Sequence, residues 1–159
     1  MSSADSHQQF MRAALALAKQ SVDEGGGPFG AVIVYEGKII ARGNNRVTAS
    51  NDPTAHAEIL TIREAGQALG RFVLSGCELY VSCEPCPMCL AAAYWARLDR
   101  IFYAATREEA AAAGFDDALI YQEVCLPSDR RCLPMHQYLQ AEASEPFIAW
   151  EAKQDRVDY

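Results

Sequence analysis

The stretch SCEPCPMCLAAAYWAR, residues 82–97, decides how the rest of the chain is interpreted. It places Cys83, Cys86 and Cys89 at three-residue intervals. An apolar run at 77–83, typical of a short buried strand, ends there, and a helical run begins at Cys86. Cysteines at this spacing are compatible with an iron–sulfur cluster, a redox disulfide, a zinc site or simple core packing. The remaining sequence has to discriminate among these possibilities.

Regular elements are predicted on both sides of this stretch. The strands are expected at 31–35 and 38–42, joined by a hairpin turn at Glu36-Gly37, and at 77–83, 100–105 and, more weakly, around 117–123. The helices are expected at 5–23, 55–70, from 86 onward, 106–114 and 145–153. This order predicts an α/β fold: a three-layer α-β-α sandwich with a mixed five-stranded sheet and helices on both faces. The first two strands should be antiparallel and the later ones parallel.

The chain has 159 residues and a formal net charge of −7. Its length is typical of one domain, so residues 1–159 are treated as a single unit. Nucleic-acid binders usually carry basic patches, and the acidic balance therefore favours a small-molecule partner. No apolar run approaches the roughly 20 residues of a membrane span, and residues 1–20 lack the pattern of a signal peptide. We expect a cytoplasmic protein with reduced cysteines and no membrane partner.

A second motif upstream suggests a use for the cysteines. The segment DPTAHAEIL, residues 52–60, places His56 and Glu58 at the start of a predicted helix. Cys86 and Cys89 are three residues apart in the first turn of the next helix, where they can point the same way and where the helix N-terminus favours thiolates. Together with His56 they would supply the three protein ligands of a catalytic zinc, which keeps its fourth position for water.

Glu58 is interpreted as a proton carrier and not as a ligand. Zinc lowers the pKa of water from about 15.7 to about 7, and a neighbouring carboxylate can take the proton and pass it to the substrate. Residues two apart on a regular helix point to nearly opposite sides. His56 and Glu58 can therefore serve one site only if His56 lies in the first, incompletely wound turn, which the preceding Pro53-Thr54 favours.

Other interpretations of the thiols fit less well. Ala93 stands where a bacterial-type iron–sulfur run needs its fourth cysteine. Pro85 and the third thiol favour metal capture over a disulfide between Cys83 and Cys86. A structural zinc with Cys83 as fourth ligand would leave Glu58 without a function. Cys83 is thus expected to end its strand without binding metal, and the remaining thiols to be buried or incidental: Cys77, Cys125 and Cys132.

The two motifs together, HAE at 56–58 and PCPMC at 85–89, match the signature H-x-E…P-C-x-x-C of zinc nucleobase deaminases. The chain therefore resembles the cytidine deaminase superfamily over almost its full length. Within it, further stretches are similar to bacterial-type guanine deaminases, which convert guanine into xanthine and ammonia. These stretches are GGPFGAVIV at 26–34, NDPTAHAE at 51–58, SCEPCPMCLAAAYWAR at 82–97, GFDD at 114–117 and the C-terminal tyrosine.

This resemblance implies roles for residues that no pattern alone would single out. Phe29 would stack on a purine base, Asn45 would hydrogen-bond it, and Ala57 would also contact it. Asp117 would handle protons at the leaving amine, and Tyr159 would cap the site. The resemblance also implies one Zn²⁺ per chain and a homodimer that exchanges the C-terminal segment, about 140–159. The capping tyrosine would then come from the other subunit.

Two alternatives stay open on the sequence alone. The first is another deaminase of the same superfamily, acting on tRNA adenosine, on cytosine or cytidine, or on an aminated triazine. The acidic balance and the lack of a basic C-terminal helix disfavour the tRNA enzyme. The second is a non-catalytic zinc domain that binds a purine or a partner protein, which would have no need of Glu58. Iron is also an alternative to zinc at the same ligands.

Overall fold

The structure is a computed structural model that describes residues 3–159, so Met1 and Ser2 of the predicted domain lie outside the described residues. Helices and strands alternate between residues 57 and 112. The strands are β1 Gly30–Tyr35, β2 Lys38–Asn44, β3 Cys77–Cys83 and β4 Arg100–Ala105. The α-helices are α1 Ser3–Asp23, α2 Val47–Ser50, α3 Ala57–Leu69, α4 Pro87–Trp95, α5 Arg107–Ala112, α6 Ala118–Val124 and α7 Glu145–Ala152, with a 3₁₀ turn at Ser128–Arg130.

The strands form one mixed sheet in the order β2-β1-β3-β4. β1 pairs antiparallel with both β2 and β3, whereas β3 and β4 are parallel. The predicted hairpin is confirmed: Glu36 and Gly37 both have positive φ, at 48° and 73°, as a two-residue turn of type I′ requires. The predicted parallel pairing of the later strands is confirmed for β3 and β4.

Helices cover both faces of the sheet, as predicted. Alternate residues of β1 point to opposite sides, so Val32 and Val34 pack with Phe10 and Ala14 of α1, while Ile33 packs in the other core layer. That second layer also contains α3, whose Ala57 and Ala65 are buried. The three-layer prediction is therefore confirmed. Among the described residues, no helix is both long and apolar enough to cross a membrane.

The predicted fifth strand is wrong. The residues around 117–123 form α6 instead, and the sheet of the described residues has four strands. Ala118, Leu119, Gln122 and Glu123 are good helix formers and outnumber the β-branched residues of the segment. No residue of α6 is buried, so nothing in its packing overrides this local preference.

The architecture brings two helix starts to one end of the sheet. Cys83 ends β3, and Cys86 is the N-cap of α4 a few residues later. His56, the N-cap of α3, starts the helix that crosses from β2 to β3. In α/β proteins, ligand sites form at the carboxyl ends of strands, next to the N-termini of the following helices. The candidate site occupies this position.

Candidate active site

His56, Cys86 and Cys89 form a cluster suited to a metal ion. The Nδ1 atom of His56 lies 3.6 Å from the Sγ atom of Cys86 and 3.5 Å from that of Cys89. All three candidate ligand atoms lie within 4.8 Å of one another. With Zn–N near 2.1 Å and Zn–S near 2.3 Å, tetrahedral coordination places such atoms about 3.6 Å apart. The donor set and its spacing therefore fit a zinc ion.

The local backbone explains why His56 and Glu58 can share a site. His56 is the N-cap of α3 and has an extended conformation, φ −69° and ψ 152°, so it does not follow the helical spacing. Cys86 is likewise an N-cap residue with an extended conformation, and Pro87 is the first residue of α4. Proline is well suited to the first helical position because its missing N–H would have no intrahelical partner. Cys89 then lies in the first turn, on the same side as Cys86.

Electrostatics prepares the thiols for metal binding. The hydrogen bond from the Cys89 thiol, with a further contribution from His56, lowers the pKa of Cys86 to about 4 despite its partial burial. The pKa of Cys89 is raised, first because its proton is shared with the Cys86 sulfur and second because it is buried. The hydrogen bond to Cys86 also raises the pKa of His56. A divalent cation between these groups would take the place of the shared protons.

Glu58 lies beside the three candidate metal ligands, in the first turn of α3. It is 5% exposed, and burial raises the pKa of its carboxyl group above the ordinary value of 4.5. A carboxyl group that can hold a proton closer to neutral pH is suited to accept and donate protons in turn. Glu58 also lines the cavity that leads to the cluster.

That cavity has a volume of about 480 Å³, enough for a small heterocycle. Phe29 forms part of its wall and meets Phe115 edge to face, with ring centroids 4.9 Å apart and planes at 86°. The predicted stacking residue therefore faces the space in front of His56 and Cys86. The other wall residues include polar groups from five segments: Asn45, Thr48, Glu84, Arg107, Asp116 and Asp117.

Asn45 is buried and its side chain is partly committed. Its Oδ1 accepts a hydrogen bond from the Val47 N–H at 3.2 Å, which holds the carboxamide in an Asx turn. Its backbone is fixed as well, since its N–H donates to the Phe29 carbonyl and its own carbonyl accepts from the Ser21 hydroxyl. The carboxamide N–H₂ is left available to an acceptor in the cavity.

Asp117 and its neighbour Asp116 have different environments. Asp116 accepts the hydrogen bond from the Ala118 N–H at 2.9 Å at the start of α6. Asp117 is the formal N-cap residue but makes no capping hydrogen bond with its side chain. Its carboxylate faces the cavity, where burial and the negative charge of Cys86 raise its pKa. The structure therefore leaves Asp117, and not Asp116, free for chemistry.

Cys83 borders the cavity but stands outside the metal cluster. Its thiol donates to the Thr106 carbonyl at 3.5 Å, and burial, with nearby carboxylates, raises its pKa to about 11. It therefore stays protonated, in keeping with its predicted non-ligand role. All six cysteines lie among the described residues as free thiols, with Cys77 buried and Cys125 and Cys132 exposed.

Two residues expected to contact the substrate are not on the cavity wall. Ala57 is fully buried in the core beside His56 and Glu58, and its contact with a base stays a prediction. Tyr159 lies elsewhere on its own chain, with its ring 6.5 Å from those of Phe72 and Trp150 and 6.3 Å from that of Trp95.

The sequence-based reasoning did not identify Phe115, Glu84 or Arg107 as wall residues. Phe115 directly precedes the two aspartates in GFDD, so its position in that motif was the available signal. Glu84 follows β3 and Arg107 begins α5 after β4, and only the parallel pairing of β3 and β4 brings them together. No local sequence pattern marks such a pair.

Comparisons with known proteins agree with this geometry. Residues 4–105 match the family model described as the cytidine and deoxycytidylate deaminase zinc-binding region. The guanine deaminase of Bacillus subtilis (strain 168) is 52% identical over 154 residues, which cover 96% of this chain and 99% of that protein. Its X-ray structure superposes with a TM-score of 0.94 over 96% of this chain and 98% of that one. A tRNA-specific adenosine deaminase of Aquifex aeolicus (strain VF5) is 45% identical over 62% of this chain and 65% of that protein.

Proposed function

The chain belongs to the cytidine and deoxycytidylate deaminase zinc-binding family, and on that premise we propose that it is a zinc-dependent guanine deaminase. It converts guanine and water to xanthine and ammonia, a step of purine turnover. The observation that carries this conclusion is the 52% identity to a guanine deaminase over 96% of the chain. Similarity to the adenosine deaminase of Aquifex aeolicus extends over only 62% of the chain.

His56, Cys86 and Cys89 would hold the metal ion. When bound there, zinc supplies the acidity that allows water to attack as a nucleophile at neutral pH. Glu58 takes the proton that the attacking water loses and delivers it to a ring nitrogen of the purine. Because Glu58 is buried with a raised pKa, it can carry that proton without losing it to bulk solvent.

The cavity wall would position the base. The Phe29 ring, supported edge-on by Phe115, offers a stacking surface, and the Asn45 amide offers a donor beside it. Attack at C2 of guanine converts that carbon to a tetrahedral centre that carries both the new oxygen and the amine. Asp117 then passes the remaining proton of the water, from the new hydroxyl group, to the amine, so that the C–N bond breaks and ammonia leaves.

We further propose that the chain acts as a homodimer in the cytoplasm, without a nucleic-acid partner, and that the segment 140–159 is exchanged between subunits. The support is the exposure of large apolar side chains on that segment, with Phe147 69% and Tyr159 73% exposed, and on α4, with Trp95 66% exposed. Surfaces of this kind are usually covered by another protein chain. The net charge of −7 disfavours binding to nucleic acid.

The test is ammonia release by purified, metal-analysed protein. Guanine, adenine, cytosine, cytidine, adenosine and a tRNA anticodon stem-loop are supplied in parallel. We expect release from guanine alone, equimolar xanthine, and one zinc per chain. Release from adenosine in the stem-loop, with none from guanine, would assign the chain to the tRNA editors instead. Zinc binding without any release would support the non-catalytic alternative.

A further inference from the structure

α6 carries two side chains that reach towards the metal-ligating loop. Asp117, at its N-cap, faces the cavity, and Tyr121 follows one turn later on the same side of the helix. The Tyr121 hydroxyl donates a hydrogen bond of 2.7 Å to the Pro85 carbonyl. Because Pro85 immediately precedes Cys86, this bond joins α6 directly to the loop that contains a zinc ligand.

A second contact holds the Tyr121 ring. The guanidinium carbon of Arg107 lies 4.1 Å from the ring centroid, the geometry of a cation–π interaction. The Nε atom of Arg107 is 3.5 Å from the Glu84 carboxylate, which also accepts the Arg107 backbone N–H at 3.3 Å. Glu84 is anchored in turn, since its N–H donates to the Ala105 carbonyl at 2.9 Å. Tyr121 is thus held by the loop before α4 and by the first residue of α5.

Within one chain, hydrophobic burial does not position this helix. Leu119, Ile120 and Val124 of α6 are 60%, 49% and 55% exposed, and no residue of the helix is buried. An element without a buried face takes its position from specific contacts, and those of Tyr121 are the ones that join α6 to the site. The placement of Asp117 depends on the same helix.

We propose that Tyr121 is a positioning residue: its bond to Pro85 and its contact with Arg107 hold α6 against the site so that Asp117 faces the reacting amine. This inference rests on the proposed deaminase function. Tyr121 does not touch the substrate in this scheme. It acts through Asp117. Removing the Tyr121 hydroxyl should therefore lower kcat only while the Asp117 carboxylate is present.

The experiment is a double-mutant cycle with Tyr121→Phe and Asp117→Asn, run on whichever base the wild-type protein deaminates. The phenylalanine keeps the ring under Arg107 and removes only the hydrogen bond to Pro85. We expect kcat to fall roughly two- to tenfold, the range for one hydrogen bond, with KM and zinc content unchanged. In the Asp117→Asn background the same change should have no further effect on kcat. Tyr103→Phe, on β4 outside the cavity wall, is the matched control.

Hydrogen exchange of the α6 amides gives a readout that needs no activity. Tyr121→Phe should speed exchange at residues 118–124, and Tyr103→Phe should not. Unchanged exchange in Tyr121→Phe would overturn the proposal even if the wild-type protein proved inactive on guanine. An unchanged kcat would overturn it, as would an equal loss of kcat with Asp117 already replaced. Loss of zinc from Tyr121→Phe would also overturn it, because the residue would then act on the ligand loop and not through Asp117.

Discussion

Glu58 shows how burial adapts one side chain for proton transfer. The carboxyl group is 5% exposed beside the metal cluster, and its pKa is raised above 4.5 chiefly because water is excluded from it. An exposed glutamate would be ionised throughout the neutral range. Burial instead reduces the free-energy difference between the ionised and the protonated carboxyl group at neutral pH. Glu58 can therefore accept a proton and give it up again during one turnover.

Replacing Glu58 with glutamine tests this role. The change keeps the shape of the side chain and removes its acid–base function. We expect kcat on guanine to fall by at least a factor of about 100, the lower end for a positioned general acid–base, with zinc content unchanged. Steady-state ammonia assays and metal analysis of the same preparation measure both. Turnover close to the wild-type rate would remove Glu58 from the mechanism.

The raised pKa of Glu58 also predicts a pH dependence of stability in the metal-free protein. Between 4.5 and the raised value, the folded state holds a proton that the unfolded state has released, so stability falls as the pH rises through that window. Metal-free Glu58→Gln should therefore be more stable than metal-free wild type at about pH 7.5, and this difference should shrink towards about pH 4.5. Urea unfolding at several pH values measures the difference. A constant difference would contradict the assignment.

Cys86 is expected to be indispensable for the metal. Its pKa of about 4 makes it a thiolate, whereas the hydroxyl group of a serine stays protonated and is a poor zinc ligand. We expect Cys86→Ser to lose stoichiometric zinc and to lower the melting temperature, since metal binding contributes to folding free energy. Cys132→Ser, at an exposed thiol outside the cluster, is the control and should keep both. Retained zinc in Cys86→Ser would show that the ligand set is wrong.

Among the helices and strands, the packing of α1 on β1 requires a close approach of two backbones at Gly30. A Cβ atom at Gly30 would lie 2.4 Å from both the Ala14 carbonyl oxygen and the Ala18 nitrogen. Only a glycine at the start of β1 allows the backbone of α1 to come this near. The same end of β1 is adjacent to Phe29, so the packing of α1 also affects the wall of the cavity.

We therefore expect Gly30→Ala to destabilise the fold by about 1–3 kcal/mol, because the backbones of α1 and β1 have to move apart. Gly66→Ala in α3 is the matched control. A Cβ atom at Gly66 would lie 3.3 Å from the nearest atom, the Arg71 carbonyl oxygen. The gain in helix propensity, up to about 1 kcal/mol, offsets that contact. Chemical denaturation of both variants measures the difference. Equal effects would show that α1 has room to adjust.

For the assembled protein, the C-terminal tail is the part whose role depends on a second chain. Tyr159 lies against Phe72 and Trp95 of its own chain, away from the cavity wall. Under the proposed exchange, a dimer brings the tail of one subunit to the cavity of the other. The tail would then contribute to substrate binding while contributing little to the stability of the core.

We expect Tyr159→Ala to raise KM for guanine roughly two- to tenfold, the range for losing one aromatic contact, without lowering the melting temperature of the core. Tyr138→Ala, just before the exchanged segment and 83% exposed, is the control. Kinetics are measured together with the molar mass in solution. Unchanged kinetics in a confirmed dimer would show that Tyr159 is not a cap.

Local patterns in the sequence were sufficient for much of the protein. The alternation of apolar residues in β1, the turn at Glu36-Gly37 and the cysteine spacing at the start of α4 are set by neighbours in the chain, and the structure agrees with each. The metal ligands could be predicted because two lie in one helical turn and the third lies in a recognisable motif with Glu58. In the hairpin, in β1 and within the first turn of α4, residues that are close in the chain are also close in space. His56 lies 30 positions from Cys86 and could be predicted as a ligand only through its own motif.

Tertiary structure decided most of the remainder, and α6 is an exception. Its helical conformation follows the local helix propensity of its residues, because none of them is buried. Other contacts at the site join residues that are far apart in the chain. Phe115 and Phe29 are 86 positions apart, Tyr121 and Pro85 are 36 apart, and Arg107 and Glu84 are 23 apart. Such pairs depend on strand order and helix packing, which emerge from the burial of the whole core and leave no mark on any short stretch of sequence.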